Sequence, residues 1–561
     1  MLRDIRLAFR AFRRQPTYAA AALLTLAVGV GASTSIFTFV DAALLQPPPF
    51  RDPSRLGVIW GVAGPERAIR GASFPEIRDW KERNRTLEEV VIYDEINLNM
   101  SVDGGNPVRV DAEMVSSSYF ELLGAGVVLG RTFAADEDAV PDQRPVAVIS
   151  ESLWRTRFGG SPEVLTRQMH LNDRAVSIVG VMQQGFSGLS FDTDVWVPTA
   201  MVSLTTAPSV LQNRGNRWLA ALTRMKEGVT LEAAQADLDA VAASLARDFP
   251  ATNADRGAQL VTLERFYLGD TAATLRMLFG AVLLFLLVAC TNVAALQLAR
   301  ATSRRQETAV SLALGATRKH LARQLTAEAM VLGVLGALLG ALLASWMTTA
   351  IRLLQPAGSL PAFVQPSLNG RALAFAATLA FASALVAALI PALAVPAADV
   401  ADALRTSGRA VRGGLGRIAR PAPQQLLVVA QVAVALALLL GAGVVVAALR
   451  SQLRVPLGFS PDGVTFARVT LTGAKFTPEQ RVAFAQRLEE ALRALPGIQS
   501  ATISDGLPFT GSSASILVRE PDLTDRVRYY VHGVTPEYFS TLGMRLVSGT
   551  PFTGNERLDT P

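Results

Sequence analysis

Residues that could carry a reaction are few in this chain, and their spacing fits none of the common ones. Lysine occurs only at Lys81, Lys226, Lys319 and Lys475, and none of the four follows a glycine. A nucleotide phosphate loop puts glycine directly before its lysine, so that backbone amides and the ammonium surround the phosphates together. The chain is therefore not expected to hydrolyse ATP itself. Its histidines, His170, His320 and His532, lie far apart, and Cys290 is the one cysteine. Neither a zinc ligand set nor a disulfide framework is expected from them. Asp136, Glu137 and Asp138 are consecutive acids and read as a solvated turn, because the further oxygen ligands of a calcium loop are missing. No Gly-x-Ser-x-Gly nucleophile elbow occurs. By its own residues the protein is no enzyme: no catalytic residue, no metal site and no cofactor-binding site is assigned.

The elements that would position side chains are mostly membrane helices. Of 561 residues, 50% are apolar and only 18% are charged, against roughly a quarter charged in soluble proteins. Five windows, Ala19–Val40, Met277–Ala299, Ala329–Ile351, Ala372–Ala398 and Gln425–Leu449, carry no charge. Each is long enough to cross a bilayer, which takes about 20 residues. Lipid offers the backbone no hydrogen-bond partners, so all five are predicted helices. Arginine crowds three of the connections. Arg3, Arg6, Arg10, Arg13 and Arg14 precede the first span, Arg300, Arg304, Arg305, Arg318, Lys319 and Arg323 follow the second, and Arg405, Arg409, Arg412, Arg417 and Arg420 precede the fifth. Leu353 to Gly370 contains no Lys or Arg. Positive loops stay cytoplasmic, which puts the N-terminus inside and two large segments outside. The net charge of +6 thus sits where arginine meets anionic lipid headgroups, and nucleic acid is not an expected partner. Gly336 and Gly340, four apart, permit close helix approach, whereas Gly29 and Gly31 do not share a face. Asn292 and Asp41 are polar within or beside spans; Asp41 lies near the outer surface, and neither is taken as a transport site.

Both outer segments have soluble character. In the first, Thr230 is placed to cap a helix with Leu231, Ala234, Leu238, Val241 and Leu245 on one face. Val146–Ile149, Val176–Val181 and Trp218–Met225 read as strands, giving an α+β domain. In the second, Thr477, Pro478 and Gln480 open a helix that Pro496-Gly497 stops. A repeat joins the two: Tyr119-Phe120, Leu123-Gly124, Gly130, Phe133 and Glu137 recur, each 419 residues later, as Tyr538-Phe539, Leu542-Gly543, Gly549, Phe552 and Glu556. The expectation is a tandem duplication, span and outer domain followed by three spans, then span and outer domain, with the second copy incomplete at its C-terminal end.

LLVACTNVAALQLARATSRRQETAVSLALGATRKHLARQL, Leu286 to Leu325, resembles the FtsX-type permease signature of ABC transporters. SYFELLGAGVVLGRTF (Ser118–Phe133), LWRTRFGG (Leu153–Gly160) and VGVMQQGF (Val179–Phe186) resemble the periplasmic core domain of MacB-type permeases. The duplicated layout, with LRTSGR (Leu404–Arg409) between the halves, is similar to the duplicated orphan permeases, the ADOP group. Ser311 stands where relatives often carry arginine.

The resemblance implies a polytopic α-helical membrane protein with MacB-like α+β extracytoplasmic domains. Its expected parts are a basic cytoplasmic N-terminus (1–17), a first span (18–45), a first outer domain (46–272) and an FtsX-like permease domain (273–398). That domain holds three spans (277–299, 329–351, 372–398) and a cytoplasmic coupling segment (300–325). A linker (399–424), a fifth span (425–449) and a truncated second outer domain (450–561) follow. Ser303 and Gln306 are placed to open a helix in the coupling segment, and Gly315 to break it. The family resemblance implies that Arg304, Arg305, Glu307 and Gly315 dock a separate cytoplasmic ABC ATPase dimer, which supplies ATP and Mg. Implied too is a bacterial inner-membrane permease that couples hydrolysis to export or extraction of a substrate outside the membrane, with membrane lipids and a periplasmic adaptor as partners. The alternative it implies is an FtsX-like signalling protein that regulates an extracytoplasmic enzyme without transport.

Overall fold

Pro16 opens the first long helix, α1 (Pro16–Val40), at a position where its missing N–H costs nothing. One wide turn, Asp41–Leu45, carries the backbone out of it. Strands β1 (Leu56–Ala63) and β2 (Ala68–Arg70) lead to α2 (Phe74–Arg83), where Ser73 and Glu76 form a reciprocal cap. There follow β3 (Leu87–Ser101), β4 (Val108–Val115), the short α3 (Tyr119–Leu123), β5 (Val127–Gly130), β6 (Val146–Ile149) and α4 (Glu151–Phe158). Next come β7 (Gln168–Leu171), β8 (Arg174–Met182), β9 (Val195–Pro198) and β10 (Ala220–Met225). Then α5 (Leu231–Asp248), α6 (Pro250–Asn253), β11 (Arg256–Thr262) and α7 (Leu263–Leu268) close the first outer domain. The long helices α8 (Thr271–Ser303), α9 (Arg318–Leu354), α10 (Gly370–Ala394) and α11 (Pro423–Leu453) come after it. Last are α12 (Pro478–Arg493), β12 (Ala514–Arg519), β13 (Arg526–Val531) and α13 (Tyr538–Thr541). This computed structural model describes residues 6, 10, 12–64, 67–102, 104–190, 193–269, 271–303, 318–354, 364–394, 423–469, 477–506, 514–519 and 526–553.

Among the described residues, four helical stretches are long and apolar enough to cross a membrane: Pro16–Leu45, Thr271–Leu296, Thr326–Leu354 and Val428–Leu453. They coincide with four of the five expected spans. The remaining one, Ala372–Ala398, overlaps α10, in which Gly370–Leu385 is an apolar helix among the described residues.

The protein forms two compact units, Met1–Met201 with Leu211–Val445, and Val202–Val210 with Val446–Pro561. In the first unit, an 11-stranded sheet runs β11-β1-β10-β3-β4-β9-β6-β8-β5, with β2 beside β1 and β7 bridging β3 and β8. Among its described pairings, only β4–β9 and β6–β8 are parallel. Its core gathers Tyr119, Phe120, Phe186 and Trp196 with Leu56, Val58, Val91 and Val148. Helix α5 is capped by Thr230 and buries Ala234, Leu238, Val241 and Leu245, as its spacing predicts.

The acidic triplet departs from expectation. It is no solvated turn, because a tight 3-10 turn at Ala135–Glu137 spreads its side chains in different directions. Glu137 is 3% exposed and accepts from both terminal nitrogens of Arg131 (2.8 and 2.7 Å) and from Ala134 N. Arg131 holds that carboxyl below its ordinary range. Asp138 accepts from Ser117 N and Ala200 N, both at 3.0 Å, and burial pushes its pKa up to about 6. Only Asp136 is an exposed ion-pair partner, to Arg144.

In the second unit the bonds around the short helix of the repeat recur. Ile92 N donates to Ser116 Oγ at 2.9 Å and Ser116 N to Ile92 O at 3.2 Å; Ile503 N and Thr535 make the same pair at 3.1 and 3.0 Å. Arg51 N reaches Leu123 O at 2.8 Å, and Ser460 N reaches Leu542 O at 2.8 Å. Gly124 and Gly543 end the two short helices with φ of +69° and +64°. Phe120 lies 5.6 Å from Phe133, and Phe539 lies 6.0 Å from Phe552.

The two copies differ in the contact at this glycine. A Cβ on Gly124 would stand 2.6 Å from Arg51 Cβ, whereas on Gly543 it would stand 3.4 Å from Ser460 Cβ. Both substitutions to alanine incur the left-handed backbone cost of about 1–2 kcal/mol. We expect Gly124→Ala to lower the thermal unfolding midpoint of the purified protein further than Gly543→Ala does. Equal midpoints would show that the Arg51 contact carries no energy.

Candidate coupling site at the membrane helices and the first outer domain

Helix α1 is packed on two sides because Gly29 and Gly31 point to different neighbours. Two residues along a helix amount to about 200° of rotation. A Cβ at Gly29 would lie 3.0 Å from Ala289 Cβ of α8, and one at Gly31 would lie 3.1 Å from Gly340 O of α9. From the other side, a Cβ at Gly340 would lie 2.9 Å from Val30 Cβ, and one at Gly336 would lie 3.0 Å from Leu26 Cβ. Gly336 and Gly340 thus stand against α1, on the seam where the two backbones come closest.

Hydroxyls continue this seam outward. Ser35 Oγ and Thr348 Oγ1 are 3.2 Å apart, Thr38 Oγ1 donates to Ser35 O at 2.6 Å, and all three side chains are buried. Cys290 Sγ meets Ser383 Oγ at 2.9 Å, which ties α8 to α10.

Asp41, 1% exposed, ends the seam. Its carboxylate accepts from Gln46 Nε2 at 2.7 Å and from Asn369 Nδ2 at 2.8 Å, with Arg371 Nη1 at 3.5 Å. Asn369 in turn caps α10 through Ala372 N. Asp41 therefore fastens the outer end of α1 to the start of α10. Asn292 of α8 lies on an exposed face.

Two joints connect this bundle to the outer domain. Where the backbone leaves α1, Arg224 is 1% exposed and donates to Arg51 O at 2.6 Å and Leu122 O at 2.5 Å. A buried guanidinium thereby closes the end of α3 onto the arriving strand. Where the backbone returns, α7 is tied to α8 by Glu264 and Arg276, 2.5 Å apart. Phe266 of α7 stacks on Trp60 of β1 (6.2 Å between centroids) and meets Tyr93 of β3 edge-on (6.5 Å). The Tyr93 hydroxyl donates to Glu95 at 2.5 Å and lies 3.1 Å from Ser190 Oγ.

Ser190 leads to Glu113, 0% exposed on β4. Its two oxygens accept from four donors: Ser190 N (2.6 Å), Thr193 Oγ1 (3.0 Å), Tyr119 Oη (2.7 Å) and Trp196 Nε1 (2.7 Å). Burial raises its pKa against those bonds, and burial also raises the Tyr119 phenol well above its ordinary value. The residues expected to dock the ATPase, Arg304, Arg305, Glu307 and Gly315, lie outside the described residues. Among the described residues no cluster of metal-ligating side chains occurs.

Glu113→Gln keeps the volume but turns an amide donor toward two of the four donors. The expected cost is about 2–5 kcal/mol, read as a lower unfolding midpoint of the purified protein. Gly340→Val is likewise expected to lower the midpoint, whereas Gly280→Val, with nothing within 4 Å of its Cβ, should leave it within error. If the two glycine variants behave alike, the close approach of α1 and α9 is not holding the bundle.

Comparison with known proteins agrees with this architecture. Residues 19–241 match the family model of the MacB-like periplasmic core domain, and residues 279–395 match that of the FtsX-like permease C-terminal region. A Burkholderia cenocepacia (strain HI2424) protein named macrolide export ATP-binding/permease protein MacB is 28% identical over 265 residues, 46% of this chain and 35% of that protein. The like-named protein of Salmonella paratyphi A is 27% identical over 259 residues, 45% of this chain and 38% of that one. The matched region thus spans little more than a third of the length of these curated relatives. Among solved structures, the periplasmic region of MacB from Actinobacillus actinomycetemcomitans aligns with 38% of this chain and 91% of its own, at 14% identity and a TM-score of 0.30. With a MacB-like core domain set between its first and second membrane helices and an FtsX-like permease region after it, the chain belongs to the MacB/FtsX type of ABC permeases.

Proposed function

We propose that this permease passes motion from a separate cytoplasmic ATPase dimer to its outer domains, where a substrate is exported or extracted. ATP and Mg belong to that partner. The setting is a bacterial inner membrane, with the N-terminus cytoplasmic and both outer domains on the far side. A periplasmic adaptor or an enzyme outside the membrane is the further partner of those domains.

One observation carries this reading: α8 and α9 run unbroken from the segment at 304–317 to the outer side. There α8 reaches the outer domain through α7, and both helices grip α1, which leads into the same domain. A displacement at the docking segment has two packed routes to β1 and β3. Nothing in this arrangement requires a hydrophilic pore. The relatives' names speak of macrolide export, which makes an amphipathic small molecule the first substrate class to try.

The test is charge reversal at the docking segment. Arg304→Glu with Arg305→Glu is expected to abolish co-purification with the partner ATPase and to remove stimulation of its hydrolysis. Retention of both would refute the docking assignment. Deletion of the gene separates transport from signalling. Loss of macrolide tolerance supports export, whereas an altered envelope enzyme activity with tolerance unchanged supports the signalling role.

A further inference from the structure

The residues ahead of α1 carry a second feature that the coupling route does not use. Residues 6, 10 and 12–14 are helical, and Gln15 (φ −134°, ψ 71°) breaks the helix before α1 begins. Arg6, Arg10, Arg13 and Arg14 are all exposed, whereas Phe12 is buried. At 100° per residue, Arg13 and Arg14 lie about 100° and 200° around the helix from Phe12. Phe12 packs in one cluster with Ala19 and Ala22 of α1, Val293 of α8, and Val331 and Leu332 of α9. It therefore anchors the arginine face at the inner ends of three membrane helices.

We propose that this face binds the phosphates of anionic phospholipids in the cytoplasmic leaflet, and that Phe12 makes the occupied state a brace across α1, α8 and α9. The inference rests on the membrane-spanning reading but not on the ATPase. Charge favours lipid as the occupant. All four cations are arginines, whose planar fork suits phosphate oxygens, and α1 enters the bilayer directly behind them. Charges within a Debye length of a headgroup plane, about 8 Å at physiological salt, are attracted to it. Each arginine near such a surface contributes about fivefold to binding.

The experiment uses the full-length protein in mild detergent, titrated with phosphatidylglycerol or phosphatidylcholine, with bound lipid counted by native mass spectrometry. The unmodified protein is expected to retain phosphatidylglycerol at least about tenfold more tightly than phosphatidylcholine, and to gain thermal stability from it. Replacing Arg6, Arg10, Arg13 and Arg14 by Gln should erase the preference, while the same number of changes at Arg78, Arg155, Arg157 and Arg247 should not. Phe12→Ala should keep the preference but lose the stabilisation, which separates binding from bracing. Should the Gln variant be unstable, Arg6→Gln with Arg10→Gln alone must still reduce the preference several-fold. Equal retention of both lipids, or a preference that survives removal of the arginines, overturns the proposal. So does an intact preference combined with loss of ATPase association, which would make the face a protein-docking surface. A protein that stays soluble without detergent fails the membrane reading itself; one that needs detergent but shows no lipid preference fails only this inference.

Discussion

The near-contact of the α1 and α9 backbones at Gly31 and Gly340 is the constraint on which the rest of the molecule depends. In lipid there is no hydrophobic gain from pressing one apolar helix against another, so association rests on close packing and on polar groups that find partners. Glycine on both sides admits the approach, and the Ser35–Thr348 contact and Thr38 supply the polar part. With α1 seated in this way, its outer end falls beside α10, and the backbone beyond it starts β1, the strand between β10 and β11. Losing the seam would disturb the outer domain at its first strand as well as the bundle.

Much of this was legible in the residues. The spans could be read from uncharged length alone, since a backbone in lipid has few options, and helices α5 and α12 from their caps and spacing. The repeat was legible because glycine at φ near +65° and paired aromatics leave an uninterrupted pattern. Glu113 was not. It sits one residue from Ala112 and Met114 in a strand whose alternation looks ordinary, and its four donors come from positions 6 to 83 residues away. Asp41 was visible as a polar residue beside a span, but its meaning required Asn369 and Arg371, more than 300 residues on. The acidic triplet misled because composition says nothing about the direction each side chain takes from a tight turn.

The repeat also shows which features each copy keeps. Backbone bonds around the short helix recur almost unchanged, since they satisfy groups that any such turn would leave exposed. The side-chain chemistry above them does not. At the spacing of 419 residues, the place of Glu113 falls to His532. Its Nδ1 lies 3.4 Å from Asp505 Oδ1, and both side chains are partly exposed. One copy thus carries a sealed carboxylate with four donors and the other an open pair of ionisable groups. The two copies share a scaffold and differ in the chemistry it carries.

Asp41 has a geometric consequence of its own. Because it joins the outer end of α1 to the start of α10, those two helices share a pivot on the outer side, with Phe37 stacked on Phe375 at 4.1 Å just below it. Helix α1 has 25 residues, about 37 Å at 1.5 Å per residue. A displacement of about 3 Å at its inner end becomes a tilt of about 5° around that pivot. The outer domain, fixed next to the fulcrum, would receive the movement as rotation with little translation. A lever arranged in this way trades distance for torque.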